Sequence, residues 1–277
     1  MNPRMKFKNE LVVITGASGG IGKALCLEFL SLGATVLALD LDSKNLSDEL
    51  NAFKDQFFFQ KLDVTEEKNF DSIAEFINNN LKINPYVWIN NAGIAKVDHF
   101  ENISSEEFDQ VLKVNFHGVV YGTRLALKLM KNPERGHLVN ISSVNGALAA
   151  PFMSPYVASK HAVDGFTRSL LLEKEFSHSA LSVHLVSPGF ARTGIMPSTG
   201  AFTLPKQLDF LIEETKIVAE QIISGIVDGQ SEIRPTFHGK VLLKFSRFLP
   251  GTTRLALRAV ASKNWKEVLG LSPIKSR

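Results

Sequence analysis

A strand, a glycine-rich loop, a helix and a second strand follow one another near the start of the chain, and this order constrains the fold more than any other feature. Residues 11–14 form a short apolar run rich in β-branched side chains, which is typical of a buried parallel strand. The glycine-rich stretch 15–22 comes next, apolar residues at helical spacing run to Gly33, and a second strand is predicted at residues 35–39. Glycines let the backbone approach a phosphate, and a helix amino terminus presents N–H donors to it. The sequence therefore predicts an α/β fold, a Rossmann-type doubly wound parallel sheet that binds a nucleotide.

The glycine-rich loop has the spacing G-x-x-x-G-x-G rather than the commoner G-x-G-x-x-G. A loop of this kind on its own is often only a tight turn. The strands on both sides and the helix that follows favour a phosphate cradle instead. The loop residues that we expect to contact the nucleotide are Gly16, Ser18, Gly20, Ile21 and Gly22.

Asp40 ends the second predicted strand, where a carboxylate can hydrogen-bond the ribose hydroxyls of an adenosine. A carboxylate at this place repels the 2′-phosphate of NADP, and neither Ser18 nor Leu41 is a basic residue that would attract it. The sequence therefore favours NAD over NADP. Lys23 and Lys44 lie close enough in sequence to keep NADP open.

Tyr156 and Lys160 are four residues apart, so on a helix they project from the same face and can reach one bound molecule. The ordinary pKa of a tyrosine is ~10, but an ammonium ~4 Å away contributes up to about 4 kcal/mol, or roughly three pKa units. Such a pair would bring the phenol into the range of acid–base chemistry at neutral pH. The spacing also occurs by chance, the alternative being a tyrosine on a half-buried helix, so the pair gains its weight from the nucleotide loop.

Taken in order, these motifs resemble those of the short-chain dehydrogenase/reductase family. The motifs that carry the resemblance are the glycine loop at 15–22, Asn90-Asn91-Ala92-Gly93, Ser143, Tyr156-x-x-x-Lys160 and Pro188-Gly189. The resemblance covers residues 9–230, and the chain is similar to the shorter of the family's main forms. It implies an NAD(P)-dependent oxidoreductase that has a single doubly wound domain and acts on CH–OH groups.

The resemblance also implies roles for four catalytic residues. Tyr156 would be the general acid in carbonyl reduction and the base in alcohol oxidation. Lys160 would lower the pKa of Tyr156 and hydrogen-bond the nicotinamide ribose. Ser143 would hold the substrate oxygen and stabilise its developing charge. Asn115 would hold a water molecule that relays protons through Lys160.

Further positions match cofactor contacts of the family. Asp63, with its neighbour Val64, would meet the adenine ring, and Asn90 and Ala92 would line the cofactor. Asn91 is expected to tie strands together. The residues that would contact the nicotinamide carboxamide are Pro188, Gly189 and Thr193.

Strand and helix signals alternate almost to the end of the 277 residues, which favours one domain with a parallel sheet. Later strands are predicted at 57–59 (a buried third strand), 86–89, 137–141 and 181–186, and a helix at about 104–130 opens with a capping box. We expect the family domain to span residues 1–233, with a substrate lid at about 190–215. The apolar residues of that lid favour a lipophilic alcohol or ketone of steroid, retinoid or acyl type over a sugar. The alternative is a catalytically silent module that binds and senses NAD(H).

Residues 234–277 form a basic and apolar C-terminal extension beyond the family's shared core. This extension holds ten Lys or Arg and one acid, Glu267, so its net charge is +9 against +3 for the whole chain. It could pack over the cleft or a subunit partner, lie on an anionic membrane, or attract an acidic substrate such as an acyl thioester. A nucleic-acid partner is not expected, because the basic stretch has no recognised reading motif.

Other features bear on location and assembly. Cys26 is the only cysteine, so no intrachain disulfide forms, which fits a reducing compartment. No signal-peptide pattern and no run of 18 or more apolar residues is evident, so we expect a cytoplasmic protein with peripheral membrane contact left open. No His, Cys, Asp or Glu cluster has metal-ligand spacing, so no metal is predicted. By analogy with the family, a homodimer or homotetramer is expected, paired through the helices that carry Asn115 and Tyr156.

Overall fold

The computed structural model of the protein describes residues 6–44, 46, 50–130, 135–192, 212–248, 251–252 and 255. Within them, seven parallel strands form one sheet. The strands are β1 (Leu11–Thr15), β2 (Thr35–Asp40), β3 (Phe57–Lys61), β4 (Pro85–Asn90), β5 (Gly136–Ile141), β6 (Leu181–Val186) and β7 (Glu232–Ile233). Their order in the sheet is β3-β2-β1-β4-β5-β6-β7. The chain thus starts in the middle of the sheet, runs out to one edge and returns past β1 to the other, which is the doubly wound Rossmann arrangement. The predicted fold class is confirmed.

Helices cover both faces of this sheet. They are α1 (Gly20–Ser31), α2 (Asn69–Phe76), α3 (Ser105–Leu112), α4 (Gly118–Leu129), α5 (Ser154–Phe176), α6 (Thr215–Val227) and α7 (Phe237–Phe248). Side chains alternate across a strand, so Val12 and Ile14 enter one buried cluster with α1 and α6, whereas Leu11 and Val13 enter another with α2, α4 and α5. Among the described residues, no helix combines the length and the apolar content needed to cross a membrane.

The predicted helix at 104–130 is present and contains an interruption that periodicity did not indicate. Ser104 accepts a hydrogen bond from the Glu107 N–H and Glu107 reaches back to the Ser104 N–H, so the predicted capping box is confirmed. Between α3 and α4 the chain makes one wide π-helical turn, Lys113–His117. Asn115 lies at the centre of that turn and is fully buried. Wide turns of this kind are frequent at functional sites.

The prediction for the third strand is wrong in one respect. Residues 57–59 do lie in a strand, but β3 is at the edge of the sheet, and Phe57, Phe58 and Phe59 are only partly buried. An edge strand has a neighbour on one side alone, so its side chains receive less cover. The opposite edge, β7, was not predicted because two residues are too few to show a periodic pattern.

Candidate active site

The glycine-rich loop joins β1 to α1 in a conformation that needs glycine at two positions. Gly16 has φ +64°, and a Cβ added to it would lie 2.6 Å from the Ala92 Cα. A Cβ added at Gly22 would lie 2.9 Å from the Ala17 Cα and 2.8 Å from the Asn91 Nδ2. Glycine therefore lets the loop close tightly against the end of β4. Gly20 and Ile21 begin α1 directly after this loop, so the amino terminus of the helix lies at the carboxyl end of β1.

Asn91 ties the ends of β1 and β4 together, as the sequence led us to expect. Its N–H donates to the Thr15 Oγ1 (3.0 Å), and its Nδ2 donates to the Gly16 carbonyl oxygen (2.9 Å). The Ala92 N–H also donates to the Thr15 Oγ1, at 3.2 Å. Thr15 is 2% exposed. The side of the glycine loop next to Ala92 is thereby held in place by partly buried hydrogen bonds.

The Asp40 carboxylate lies at the end of β2, beside the glycine loop. Its Oδ2 accepts a hydrogen bond of 2.8 Å from the Ser18 N–H, and its Oδ1 accepts one of 2.7 Å from the Leu41 N–H. Both oxygens are therefore oriented by the backbone. The structure brings the loop and this carboxylate to one place, as expected from the sequence.

Two predicted cofactor residues follow β3. The Asp63 Oδ1 accepts hydrogen bonds from the Thr65 N–H (3.0 Å) and hydroxyl (2.8 Å), which forms a tight turn. Val64 is 8% exposed and packs against the start of α4, where a Cβ at Gly118 would lie 2.9 Å from its Cγ2. The Asp63–Val64 turn thus lies at the carboxyl ends of the strands, directly after β3.

The side chain of Asn90 points into the protein. It is 1% exposed, its Oδ1 accepts from the Trp88 Nε1 (2.9 Å), and its Nδ2 donates to the Asn140 Oδ1 (2.8 Å). Any contact between Asn90 and a cofactor would therefore be made by its backbone. A motif match does not distinguish backbone from side-chain contacts, which explains why the sequence did not indicate this orientation.

Pro188 and Gly189 lie just beyond the end of β6, beside the turn that follows β5. The Val144 N–H donates to the Pro188 carbonyl oxygen at 2.8 Å, and the Gly189 N–H donates to the Thr236 Oγ1 at 2.9 Å. Thr193, the third residue predicted to contact the carboxamide, lies outside the described residues, as does most of the predicted lid at 190–215.

Ser143 and Tyr156 lie beside each other at the carboxyl ends of β5 and β6, close enough for the Ser143 hydroxyl to lower the pKa of the phenol. Ser143 follows β5 and opens a short turn, Val144–Gly146, and its Oγ accepts a hydrogen bond of 3.1 Å from the Asn145 N–H. Tyr156 lies in the first turn of α5 and is 8% exposed. Pro155 precedes it within that turn, where proline is well tolerated in a helix. Ser143 and Tyr156 are thus brought together by the end of β5 and the start of α5.

The Lys160 ammonium lies behind this pair. It is 3% exposed, donates a hydrogen bond of 2.9 Å to the Ile141 carbonyl oxygen, and lies 5.7 Å from the centroid of the Tyr156 ring. Tyr156 and Lys160 therefore do project from one helix face, as their spacing indicates.

Asn115 links the loop after β4 to the helix that carries Tyr156. Its Oδ1 accepts from the Ile94 N–H (2.8 Å), while its Nδ2 donates to the Ile94 carbonyl oxygen (2.9 Å) and the Ser159 Oγ (2.9 Å). The Ser159 hydroxyl in turn donates to the Tyr156 carbonyl oxygen at 2.7 Å. A Cβ at Gly93 would lie 3.5 Å from the Asn115 Oδ1 and 3.7 Å from the Lys160 Nζ, so this loop lies over both side chains.

The pKa values of Tyr156 and Lys160 are not shifted in the way that their spacing led us to expect. The pKa of Tyr156 is raised by burial, and the neighbouring Ser143 hydroxyl lowers it in part. The pKa of Lys160 is lowered to about 8 by burial, an effect that the negative charge of Asp164 opposes. Burial disfavours the charged form of both groups, and the ammonium is bonded to a strand carbonyl rather than to the phenol. In the protein alone, the influence that lowers the pKa of Tyr156 is therefore Ser143, not Lys160.

Two residues of this network were not singled out from the sequence. Ser159 is buried between Asn115 and the Tyr156 carbonyl, and Asp164 is buried one turn beyond Lys160. Asp164 could have been found, because four residues after Lys160 places it on the same helix face. Ser159 gave no signal, since a small polar residue inside a helix has no characteristic spacing.

Comparison with known proteins agrees with this fold. A family model described as short chain dehydrogenase matches residues 10–203. The chain is 28% identical over 268 residues to SadH of Mycobacterium tuberculosis (strain ATCC 25618 / H37Rv), which bears an oxidoreductase name, and the match covers 93% of this chain and 97% of that protein. It is 33% identical over 196 residues to a Thermotoga maritima protein named 3-oxoacyl-(acyl-carrier-protein) reductase FabG, and 68% of this chain and 77% of that protein are covered.

Solved structures show the same fold. A short chain dehydrogenase/reductase from Burkholderia phymatum, in complex with NAD, has a TM-score of 0.74 at 22% identity, with 98% of each chain covered. A short-chain dehydrogenase from Streptomyces avermitilis has a TM-score of 0.76 at 22% identity, with 96% of this chain and 100% of that chain covered.

The fold and the family match define an oxidoreductase with a Rossmann-type nucleotide-binding fold. More particularly, the chain belongs to the short-chain dehydrogenase family. Members of this family are NAD(P)-dependent oxidoreductases.

Proposed function

We propose that the protein transfers a hydride between NAD(H) and the carbon of a lipophilic secondary alcohol or ketone. The observation that carries this proposal is the buried phenol of Tyr156, which lies beside Ser143 and has the Lys160 ammonium 5.7 Å from its ring centroid. A proton donor, a hydroxyl that can hold the same substrate oxygen and a cation are thus held within one site. No observation favours the alternative of a silent sensor.

The residues at the carboxyl ends of the strands fit a dinucleotide. Glycine at positions 16 and 22 lets the loop pack tightly against the end of β4, and α1 begins directly after the loop, so its amino-terminal N–H groups would bind a pyrophosphate. Asp40 would bind the adenosine ribose, and the Asp63–Val64 turn would meet the adenine. When bound, the dinucleotide supplies the hydride acceptor or donor. The two backbone-oriented oxygens of Asp40 present negative charge where a 2′-phosphate would lie, and this supports NAD over NADP.

The proton would move through Tyr156. In carbonyl reduction, its hydroxyl gives a proton to the substrate oxygen, while Ser143 donates a hydrogen bond to the same oxygen. In alcohol oxidation, the phenolate takes the proton back. Because burial raises the pKa of Tyr156, the phenol carries its proton at neutral pH, which supports the reductive direction. Asn115 keeps the Tyr156 helix in register with the loop after β4 and would hold the relay water.

The surroundings of Tyr156 support a lipophilic substrate. Tyr156 belongs to a small apolar cluster with Val97 and Met153, and Ala95 and Phe152 pack against it. A sugar would leave its hydroxyls against this apolar surface without partners, which is unfavourable. The name of the Thermotoga maritima relative, a 3-oxoacyl reductase, adds weight to a keto-acyl compound within this class.

We further propose that residues 1–233 form the catalytic domain and that residues 234–277 extend it at the substrate side. The start of this extension supports the idea, because a Cβ at Gly239 would lie 3.1 Å from the Val144 Cγ1, beside Ser143. Phe237, Val241 and Phe248 are exposed on α7, and Lys240 and Lys244 lie among them, which supports peripheral contact with an anionic membrane by a cytoplasmic protein. Pairing of subunits through the helices that carry Asn115 and Tyr156 remains part of the proposal.

The test is a screen of lipophilic alcohols and ketones, including 3-ketoacyl thioesters, followed through NADH or NADPH absorbance. We expect turnover of at least one lipophilic ketone with NADH and a lower kcat/KM with NADPH. Hydroxylated compounds such as reducing sugars provide the contrasting set. Tight NADH binding, measured by fluorescence, without turnover of any compound would favour the sensor and refute the proposal.

A further inference from the structure

Asp164 is a buried carboxylate immediately next to the catalytic site. It lies on α5 one turn beyond Lys160 and is 6% exposed. Its Oδ1 accepts a hydrogen bond from the Ser142 Oγ, and its Oδ2 lies 3.7 Å from the Arg168 Nη2. A buried carboxylate needs partners of this kind, because its desolvation is otherwise strongly unfavourable.

Ser142 connects this carboxylate to the end of β5. The Ser142 Oγ lies 3.2 Å from the Lys160 carbonyl oxygen as well as in contact with Asp164. Both serines reach α5, where Ser142 contacts Lys160 and Asp164, and Ser143 lies beside Tyr156 in the first turn of the helix. The contact between Ser142 and Asp164 therefore anchors the strand end from which Ser143 projects.

Gly146 packs directly against the contact between Ser142 and Asp164. It ends the turn after Ser143, and a Cβ added there would lie 2.6 Å from the Ser142 Oγ and 2.7 Å from the Asp164 Cγ. Its φ is not in the left-handed region, so glycine is needed here for space rather than for conformation. The turn thus packs directly on the hydrogen-bonded serine and carboxylate.

From these contacts we propose that Asp164 is a positioning residue, which through Ser142 holds Ser143 in line with Tyr156 and whose negative charge stabilises the Lys160 ammonium. The proposal deepens the proposed function and rests on it, because it assigns to Asp164 a role in the same proton-transfer site.

The charges around Asp164 agree with this role. Its pKa is raised by burial, and the Ser142 hydrogen bond, Arg168 and His161 lower it, whereas Glu232 of β7 raises it. Arg168 also forms an ion pair with Glu232, so the carboxylates on the side of Asp164 away from Lys160 have a positive partner. Toward Lys160, the negative charge of Asp164 raises the pKa of the ammonium and so opposes the lowering caused by burial. Removing that charge would make the ammonium less stable.

The test uses Asp164→Asn, which keeps the size of the side chain and removes its charge. We expect the pKa of Lys160 to fall by about one unit, followed by NMR of protein labelled with ¹³C at the lysine ε-carbons, with Lys160→Arg used to assign the signal. We expect kcat at neutral pH to fall about tenfold or more, with NADH affinity less affected. Turnover relative to the wild type should recover as the pH is lowered, because Lys160 regains its proton.

Glu175→Gln is the matched control, since it makes the same chemical change at an exposed position of the same helix. It should alter neither the Lys160 titration nor kcat. An Asp164→Asn protein with the wild-type Lys160 pKa would overturn the proposal whatever its activity. A general loss of stability would lower kcat without moving that titration, so the two readouts separate positioning from a merely structural role.

A second variant tests the geometric part and serves if Asp164→Asn does not fold. Ser142→Ala keeps the charge and removes the hydrogen bond, so we expect kcat to fall about tenfold while NADH affinity stays the same. Wild-type kcat in Ser142→Ala would overturn the positioning role. A wild-type protein without any turnover would refute the proposed function separately, while the Lys160 titration would still decide whether Asp164 stabilises the ammonium.

Discussion

The Lys160 ammonium donates a hydrogen bond of 2.9 Å to the Ile141 carbonyl oxygen, so one buried cation joins α5 to the last residue of β5. Lys160 is 3% exposed, and burial lowers its pKa to about 8. The residue therefore does two things. It presents positive charge 5.7 Å from the centroid of the Tyr156 ring, and its burial disfavours the charged form.

Replacing Lys160 with Met should abolish turnover and stabilise the fold. The native pKa, about 8, lies below the ordinary 10.5, so the unfolded chain binds more protons between these pH values and wild-type stability rises with pH across that interval. Lys160→Met lacks this rise and should be more stable at neutral pH by about 1–3 kcal/mol. Urea unfolding over a pH series measures both effects. Exposed Lys113→Met is the control, and a Lys160→Met protein less stable than the wild type would contradict the prediction.

Changing Tyr156 to Phe removes one hydroxyl and should remove the proton transfer. We expect turnover to fall about 10²–10⁴-fold, while NADH binding stays close to that of the wild type. Stopped-flow turnover and NADH fluorescence give the two values. Tyr121→Phe, a partly buried tyrosine on α4, is the matched change outside the site. Near wild-type turnover in Tyr156→Phe would rule out the phenol as the proton donor.

A methyl group at Gly22 should weaken cofactor binding more than it weakens the fold. The added Cβ would overlap the Gly16 carbonyl oxygen and lie 2.8 Å from the Asn91 Nδ2, so the loop would have to shift. We expect NADH to bind at least about tenfold more weakly to Gly22→Ala in fluorescence titrations. Gly165→Ala is the control, since a Cβ there meets nothing within 4 Å, and it should be neutral or slightly stabilising. Equal NADH affinity in both variants would show that the loop does not hold the phosphates.

Removal of the Asp40 charge should change the preference between the two dinucleotides. The carboxylate is oriented by the Ser18 and Leu41 N–H groups, and its loss relieves repulsion of a 2′-phosphate. We expect the NADPH affinity of Asp40→Ala to rise about tenfold relative to its NADH affinity. Asp71→Ala, an exposed carboxylate on α2, should leave the ratio unchanged. An unchanged ratio in Asp40→Ala would place the adenosine ribose elsewhere.

His137 should make the fold sensitive to acid. It is hydrogen-bonded to the Tyr86 hydroxyl (3.2 Å) and to His184 (2.9 Å), and burial, with the charges around it, lowers its pKa to about 3 from 6.5. Below pH 6.5 the unfolded chain gains a proton that the native state does not, so stability is lost as the pH falls toward 3. At about pH 5 the loss should reach about 2 kcal/mol.

The variant His137→Gln should reduce this slope in urea unfolding measured at neutral and acid pH. His161→Gln, at an exposed position of α5, provides the comparison. A slope unchanged by His137→Gln would locate the acid sensitivity in other groups, with His184 next to be tested.

The parts of the fold that could be predicted are those with a long periodic signal or a residue type that only one geometry explains. The buried strands β1 and β2, the glycine loop between them and the capping box at Ser104 belong to this group. The edge strand β3 and the two-residue strand β7 were misjudged or missed, because cover by neighbours is decided by the whole sheet. Periodicity also gives no sign of the wide turn at Lys113–His117.

The site shows the same division. The helix spacing was enough to place Tyr156 and Lys160 on one face, but not to show that Lys160 is bonded to the Ile141 carbonyl. The inward orientation of Asn90 depends on partners far away in sequence, such as Asn140. Buried hydrogen bonds between distant residues leave no local pattern, and for this reason the effect of Ser143 on the pKa of Tyr156 could only be found in three dimensions.

Thr236 lies just past β7, is fully buried, and accepts a hydrogen bond of 2.9 Å from the Gly189 N–H. The backbone that follows β6 is therefore held by a residue that comes almost fifty positions later. Versions of the protein shortened to the matched family region alone would lack this fastening. Truncation from the carboxyl end should thus alter catalysis well before it exposes the central sheet.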